Sequence, residues 1–477
     1  MVVYCRESGQ DGRGHRPMHG ESLSHRAELK QFWSTAPESR QAILLRAVAG
    51  VHAWHYQRNA AYRQVVSARG VGATVDLASG PGCALLPRLL RPTAQTFKSY
   101  IDVLGTPFPQ ERPQAFLEWL AFHLSVDLPR DRLARFRPRY ASLEALLRDV
   151  ETIYSEFGFE ISTSSGTSGR STILVRDREA VESTVESFYL SFQRYLGIDA
   201  VERAVFIMPR ETRIAMARMA AFSVKRLGLP EDRIHFAIPF PAEPDRVRIR
   251  SGRTFRPGWP GKVERHFWYP FMNWMQEHYV TPRAVKTTVE LLGRAEASGE
   301  HVLVFGGWVQ LHAVSRQLQA EGRTVRLAPG SLLGTGGGLK ELYPFAPAQI
   351  REELAATIRL ADGRPAPLRD VYGMAEGNWA AMQCAEGHYH VPPWVLARTL
   401  DEDDRLQEAD DSTGLLAFYD PLGGGRLFPA FFKTADRMRL FLGREECCPC
   451  GEQGAFIARE SIQRVDLLDE AGCAAQV

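Results

Sequence analysis

Ser162-Thr163-Ser164-Ser165-Gly166-Thr167-Ser168-Gly169-Arg170-Ser171 is a run of small hydroxylated residues and glycine that no hydrophobic core can use. Its backbone N–H groups and hydroxyls can close around a polyanion because no bulky side chain intrudes. The run therefore predicts a phosphate-cradling loop. It lacks the G-x-x-x-x-G-K-[ST] spacing of a Walker loop, which disfavours a P-loop ATPase.

Working outward from the loop, short apolar runs alternate with long amphipathic stretches. Strands are expected over 172–175, 204–208, 235–238, 302–305 and 324–327, and helices over 181–196, 215–227, 282–298 and 309–321. This rhythm is that of an α/β fold with parallel sheets flanked by helices. Upstream, Phe32, Ile43, Leu44, Val48, Val51 and Trp54 recur at helical spacing, and 116–128 reads as a further helix. Beyond Val391 the pattern becomes hairpin-like, with strands over 414–419 and 438–442 separated by a segment containing a glycine turn at 423–425. The expected organisation is a mobile arm over 1–25, a mainly helical part over 26–150 and an α/β nucleotide- and acyl-binding body over 151–390. A small β-rich subdomain over 391–460 and a tail over 461–477 complete it.

Lys+Arg 58 against Asp+Glu 56 leaves a net charge of +2, and no long basic run follows the N-terminal segment. Neither a nucleic-acid nor a membrane-surface partner has electrostatic support, and a small molecule is the expected partner. No stretch approaches the ~18 apolar residues of a membrane span, and the first 25 residues lack the apolar centre of a signal peptide. A cytoplasmic location is expected. The chain has seven cysteines, and Cys447, Cys448 and Cys450 are crowded together, which suits a metal or thiol role better than a disulfide framework. Cys384-Ala-Glu-Gly-His388-Tyr-His390 with Cys448-Pro-Cys450 offers thiolates and imidazoles from two distant segments. Cys384, His390, Cys448 and Cys450 are the favoured set for tetrahedral Zn²⁺, with His388 or Cys447 as substitutes. Trp268, Tyr269, Phe271 and Trp274, with Phe305-Gly306-Gly307-Trp308, are candidates to line an acyl site.

Ser164-Ser165-Gly166-Thr167-Ser168-Gly169 resembles the phosphate loop of the adenylate-forming (ANL) superfamily of acyl-CoA synthetases, luciferases and nonribosomal adenylation domains. Further matches follow in the family's order. Gly334-Thr335-Gly336-Gly337-Gly338-Leu339-Lys340 resembles the glycine-rich turn beside the adenine. Tyr372-Gly373-Met374-Ala375-Glu376 resembles the Y-G-x-[ST]-E motif, and Lys433-Thr434-Ala435-Asp436-Arg437 resembles the segment whose aspartate holds ribose hydroxyls. Two branches are nearest. G-T-G-G-G-x-K and His390-Val391-Pro392-Pro393-Trp394 are similar to LuxE-like acyl-protein synthetases, and Cys448-Pro449-Cys450-Gly451 is similar to an element in those and in phenylacetate-CoA ligase-like enzymes.

The resemblance implies an N-domain type body that joins a carboxylic acid to the α-phosphate of ATP, releasing pyrophosphate, before a thiol takes the acyl group. Thr163, Ser164, Ser165, Gly166, Thr167 and Ser168, with Gly169, would hold phosphates; Gly336, Gly337, Gly338, Tyr372 and Gly373 would border the nucleotide; Glu376 would help bind Mg²⁺. Asp436, beside Arg437, would take the ribose hydroxyls. Only 41 residues follow Asp436 and none is lysine, so a full C-terminal lid domain with its catalytic lysine is expected to be missing. Lys340 is the preferred replacement cation, with Lys433, Arg170, Arg437 or a partner protein as alternatives. Cys473, in a small-residue tail, is a positional candidate for an acylated cysteine. The acceptor stays open between the protein's own cysteine, a carrier protein or reductase, CoA and an amine. A catalytically silent nucleotide-binding scaffold is the reading from a different class.

Overall fold

The computed structural model describes residues 29, 32–79, 83–164, 171–339 and 343–465. Strands apolar on both faces need a helical layer on each side, and the middle of the chain supplies both. Five strands pair in parallel in the order Leu368–Gly373, Leu332–Gly336, Val302–Phe305, Arg203–Pro209 and Ile234–Ile238. Side chains of one strand point alternately to opposite faces. Val205 and Ile207 accordingly join the core under the helices Thr281–Ser298, Trp308–Ala320 and Pro347–Thr357. Ala204, Phe206 and Met208 face the Ala215–Ser223 helix on the other side.

The strand-rich C-terminal segment does not form a sheet of its own. Ala380–Gln383 pairs antiparallel with Leu368–Gly373, and Tyr389–His390, Phe456–Ile457, Ala430–Phe441, Asp411–Asp420 and Leu396–Leu400 follow edge to edge. The result is one mixed 13-stranded sheet. Helices Pro37–Arg58, Ala60–Ala68, Pro113–His123 and Leu143–Ile153 share the large core on which its antiparallel half rests. Asn59 joins two of them: its Oδ1 accepts from Tyr62 N at 2.8 Å to start a helix, and its Nδ2 donates to the His123 carbonyl at 2.6 Å.

Most expected elements of the α/β part are present, and Val302–Phe305 matches to the residue. Two expected strands are placed differently. The one expected over 172–175 is Ile173–Arg176, which folds back antiparallel on Glu160–Thr163 across the hydroxyl-rich loop. A parallel neighbour would need a crossover, and one loop is too short for that. The strand expected over 324–327 is Val325–Leu327, which pairs with Ile358–Leu360 in a separate two-stranded sheet. The arm over 1–25 and residues 466–477 of the tail lie outside the described residues.

Arg213 fixes this hairpin to the body. Its buried guanidinium donates to Glu144 Oε2 at 2.8 Å, to Glu151 Oε1 and Oε2 at 2.6 and 2.8 Å, and to the Ile161 carbonyl at 3.0 Å. Its own carbonyl accepts from Thr163 N at 2.7 Å. Deleting one partner of a buried ion cluster leaves uncompensated charge, so Arg213→Ala should cost about 3 kcal/mol in urea denaturation. A loss below about 1 kcal/mol would show that the cluster does not hold the hairpin.

Candidate functional site

The base of the hydroxyl-rich loop is closed by a pair of hydrogen bonds. Ser164 N donates to the Thr172 carbonyl at 3.1 Å, and Thr172 N donates to Ser164 Oγ at 2.9 Å. At the loop exit Thr172 Oγ1 donates to Glu376 Oε1 at 2.9 Å, joining two motifs 204 residues apart. Glu376 sits in the turn between the strands Leu368–Gly373 and Ala380–Gln383. Buried Arg176 secures that turn on both sides of the glutamate: one Nη2 donates to the Ala375 carbonyl at 2.8 Å and to the Gly377 carbonyl at 3.2 Å. Burial lowers the Arg176 pKa to about 10, opposed by the charges of Glu376 and Asp420.

Tyr372 OH donates to Asp436 Oδ2 at 2.7 Å, so the third and fourth motifs also meet. Burial, followed by the adjacent Asp436 charge, holds the Tyr372 phenol well above its usual value. On the edge opposite Asp411–Asp420, the Asp436 strand pairs with Gln463–Arg464, which puts Arg464 across from Asp436. Gly336 lies beside Val371 in the parallel sheet, and the chain then leaves through Gly337 and Gly338 at φ +81° and +69°, values that favour glycine. Arg437 is exposed on the strand beside Asp436, and Lys433 is paired with Asp404. Ser165, Gly166, Thr167, Ser168, Gly169, Arg170, Lys340 and Cys473 lie outside the described residues.

Beside these motifs an apolar cavity of about 90 Å³ opens on one face of the parallel sheet. Phe188, Phe192, Phe206, Met216, Phe305 and Val371 are among its walls. The strands Arg203–Pro209 and Val302–Phe305 are adjacent, and the chain leaves them toward opposite edges of the sheet. Such a switch in strand order is where open α/β sheets form ligand crevices. Gly334 makes room for the wall: a Cβ there would lie 2.5 Å from the Phe305 ring. The acyl site expected around Trp268, Tyr269, Phe271 and Trp274 is corrected in part. Trp268, Phe271 and Trp274 are exposed on a helix surface, and of that expected set Phe305 alone lines this cavity.

Cys384, His390, Cys448 and Cys450 come together, with their ligand atoms all within 4.8 Å of one another, and they could hold a metal ion. Two turns deliver them. Gly387 N donates to the Cys384 carbonyl at 3.1 Å and Gly451 N to the Cys448 carbonyl at 2.8 Å, while the strand pairing of His390 with Phe456 brings the two turns side by side. Cys384 Sγ lies 3.9 Å from Cys448 Sγ, and Cys450 Sγ lies 3.3 Å from His390 Nε2. Metal–sulfur bonds of ~2.3 Å in a tetrahedron imply edges of about 3.8 Å, which these separations approach. Burial lowers the His390 pKa to about 4, which keeps the imidazole neutral as a ligand requires. His388 accepts instead from Arg459 N at 3.3 Å, and Cys447 is exposed outside the cluster.

Sequence reasoning missed Thr172, Arg176 and most of the cavity wall. Thr172 directly follows the loop and was within reach of motif reading; nothing local in Ile173-Leu-Val-Arg176 announces that the arginine is buried. Asp420, also buried, accepts from Leu422 N at 2.9 Å, and burial pushes its pKa up to about 7 despite the Arg176 charge. The folded state therefore keeps a proton that the unfolded chain loses near pH 4. This contribution is fully present below about pH 4, is lost as pH rises toward 7, and is level above that. Asp420→Asn should flatten this segment of a stability–pH curve measured by urea denaturation, and an unchanged slope would contradict the assignment.

Residues 273–477 match the family model described as "Acyl-protein synthetase, LuxE". The chain is 31% identical over 142 residues to the long-chain-fatty-acid–luciferin-component ligase of Aliivibrio fischeri, covering 29% of this chain and 35% of that protein. It is 25% identical over 191 residues to the Vibrio harveyi protein of the same description, covering 40% and 48%. The matched part thus spans between a third and a half of these relatives' length. Among solved structures, 2-hydroxyisobutyryl-CoA ligase in its thioesterification state superposes with a TM-score of 0.54 at 13% identity, over 96% of this chain and 74% of that one. An open conformation of that ligase gives 0.50 at 12% identity, over 96% and 81%. Residues 273–477 are similar to the LuxE acyl-protein synthetases, and the chain as a whole shares the fold of 2-hydroxyisobutyryl-CoA ligase.

Proposed function

We propose that the protein is an AMP-forming acyl-activating ligase that makes an acyl-AMP from a long-chain aliphatic acid and passes the acyl group to a thiol. The observation that carries this reading is the convergence of distant motifs: Thr172 bonds Glu376 at the exit of the hydroxyl-rich loop, and Tyr372 bonds Asp436 on the strand Ala430–Phe441. The adjoining cavity, walled by phenylalanine, methionine and valine, favours an aliphatic tail. The long-chain acid in the names of the two bacterial relatives agrees with it.

The chemical difficulty is charge, because a carboxylate must approach a polyanionic triphosphate. Thr163, expected to hold phosphates, is fully buried with its N–H and hydroxyl directed at the Arg213 carbonyl, which leaves the Ser164 hydroxyl and the residues that follow it to bind the phosphates. Glu376, with one oxygen engaged by Thr172, offers its second to Mg²⁺, which would neutralise phosphate charge. Asp436 accepts from both ribose hydroxyls. The substrate carboxylate then attacks the α-phosphorus, an acyl–phosphate bond forms and pyrophosphate leaves. A thiolate next attacks the acyl carbon, forming a thioester and releasing AMP. The acceptor is a protein cysteine, with Cys473 as its candidate in this chain, or a carrier or CoA thiol. Lys340 is proposed as the cation near the α-phosphate. Zn²⁺ in the Cys384–His390–Cys448–Cys450 cluster is assigned a structural role, holding the far end of the hairpin whose turn carries Glu376.

A pyrophosphate-exchange screen over aliphatic, aromatic and amino acids tests the reaction. Glu376→Gln and Asp436→Ala should each reduce exchange by at least about thirtyfold with the fold intact, the equivalent of ~2 kcal/mol of charge-assisted contacts. Arg176→Lys keeps the charge but shifts the donor nitrogen away from the point where Nη2 meets both carbonyls, so its exchange should be intermediate. Wild-type exchange in the Glu376 and Asp436 variants would refute the site. The zinc assignment predicts near-stoichiometric zinc by elemental analysis of protein purified without chelator or metal-affinity resin. Cys448→Ser should lose the metal and lower the melting temperature, because ligand binding is coupled to folding.

A further inference from the structure

The helix starting at Gly258 continues through π-helical turns at Glu264–Trp268 and Gln276–Val280 to Ser298. Each π turn comes just before a proline, Pro270 or Pro282. Proline has no N–H to donate and its ring crowds the carbonyl one turn back, and a widened turn relieves both. The later half is anchored, with Ala284, Val285, Val289 and Leu292 buried against the sheet. The earlier half carries Trp259, Phe267, Trp268, Phe271, Trp274 and Tyr279, each between 44% and 75% exposed. Some of these rings meet one another: Phe267 stacks on Phe271 at 6.1 Å, and Trp268 meets Phe271 edge-on at 6.0 Å.

Exposed aromatic residues concentrated on one segment mark an interaction site, and the charges around these indicate its partner. Lys262, Arg265, Arg283 and Lys286 are exposed along the same helix. The acids over 258–298 are Glu277 and Glu290, which are exposed, Glu296, which accepts from Arg326 N, and Glu264, which is buried and bonded to Arg248 and Arg256. Such a face repels a second copy of itself and attracts an anionic surface. Interleaved Trp, Tyr and Phe with Lys and Arg are the composition of helices that lie in the headgroup region of a bilayer.

We propose that this helix docks the protein on membranes containing anionic lipid, with the rings in the headgroup region and the cations on lipid phosphates. Because the helix returns toward the start of the strand Val302–Phe305, its aromatic half projects past the carboxyl ends of the parallel strands. That is the side on which Gly336–Gly338 and the Glu376 turn emerge, so docking turns the mouth of the site toward the bilayer. The docking stands apart from acyl activation, since vesicle binding needs no substrate.

The test is co-sedimentation of the full chain with vesicles of phosphatidylcholine alone or mixed with phosphatidylglycerol, at low and high salt. The wild type should sediment with the anionic vesicles, less so at high salt, and weakly with neutral ones. Trp268→Ala with Trp274→Ala should lose binding to both. Lys262→Glu with Lys286→Glu should lose anionic binding by about fivefold or more per cation removed. Both variants should keep the wild-type melting temperature, because the altered side chains are exposed. No sedimentation of the wild type, or equal sedimentation of all proteins, overturns the proposal. A concentration-dependent dimer in light scattering that the tryptophan variant abolishes also overturns it and makes the face a contact between copies.

Discussion

A guanidinium sealed from water must find acceptors, and Arg176 finds them in the carbonyls of Ala375 and Gly377. Much of the site depends on that requirement. Arg176 ends the strand leaving the hydroxyl-rich loop, and the two carbonyls flank Glu376, so one side chain ties the loop hairpin to the turn that carries the carboxylate. Thr172 then reaches Glu376 directly. Burying a cation costs several kcal/mol unless its hydrogen bonds are made, which gives the turn a strong reason to keep its shape. The neighbouring Asp177 extends the same seam: it caps the Arg178–Leu196 helix and accepts from Arg426 N at 2.9 Å.

The strand Leu368–Gly373 is where two kinds of sheet meet. On one edge it pairs parallel with Leu332–Gly336, and on the other antiparallel with Ala380–Gln383. Neighbouring residues of a strand point to opposite faces. Val371 therefore faces the apolar cavity, while Tyr372 turns toward Asp436 on the antiparallel side. A single strand thus borders the apolar cavity, contacts the Asp436 motif and leads into the Glu376 turn. The Cys/His cluster lies at the other end of the same hairpin, which makes its stability a matter for the site as well as for the fold.

Charge behaves differently at the scale of the chain and of one helix. A net charge of +2 argues against a charged partner only if the charges are evenly spread. Salt bridges such as Arg203 with Glu300 and Arg248 with Glu264 consume many of them within the fold. The helix from Gly258 keeps its exposed cations beside exposed rings, so a local field survives that the whole-chain balance conceals.

By itself the sequence determined the alternation of strands and helices over the α/β part, because periods of two and 3.6 register in apolar spacing without knowledge of neighbours. It also determined the small-residue loop, the order of the four motifs and the two Cys/His-rich segments, whereas tertiary structure brought together Cys384, His390, Cys448 and Cys450 and left His388 and Cys447 outside. Tertiary structure decided which strands share a sheet: the 173–176 strand folded back as a hairpin, and the strand-rich C-terminal segment extended the parallel strands. It decided that Arg176 is buried and Trp274 exposed, although residue type alone suggests the reverse. It also decided that Phe305 lines a cavity beside Val371. Burial and contact between residues dozens to hundreds of positions apart depend on how layers stack, and local periodicity carries no record of that stacking.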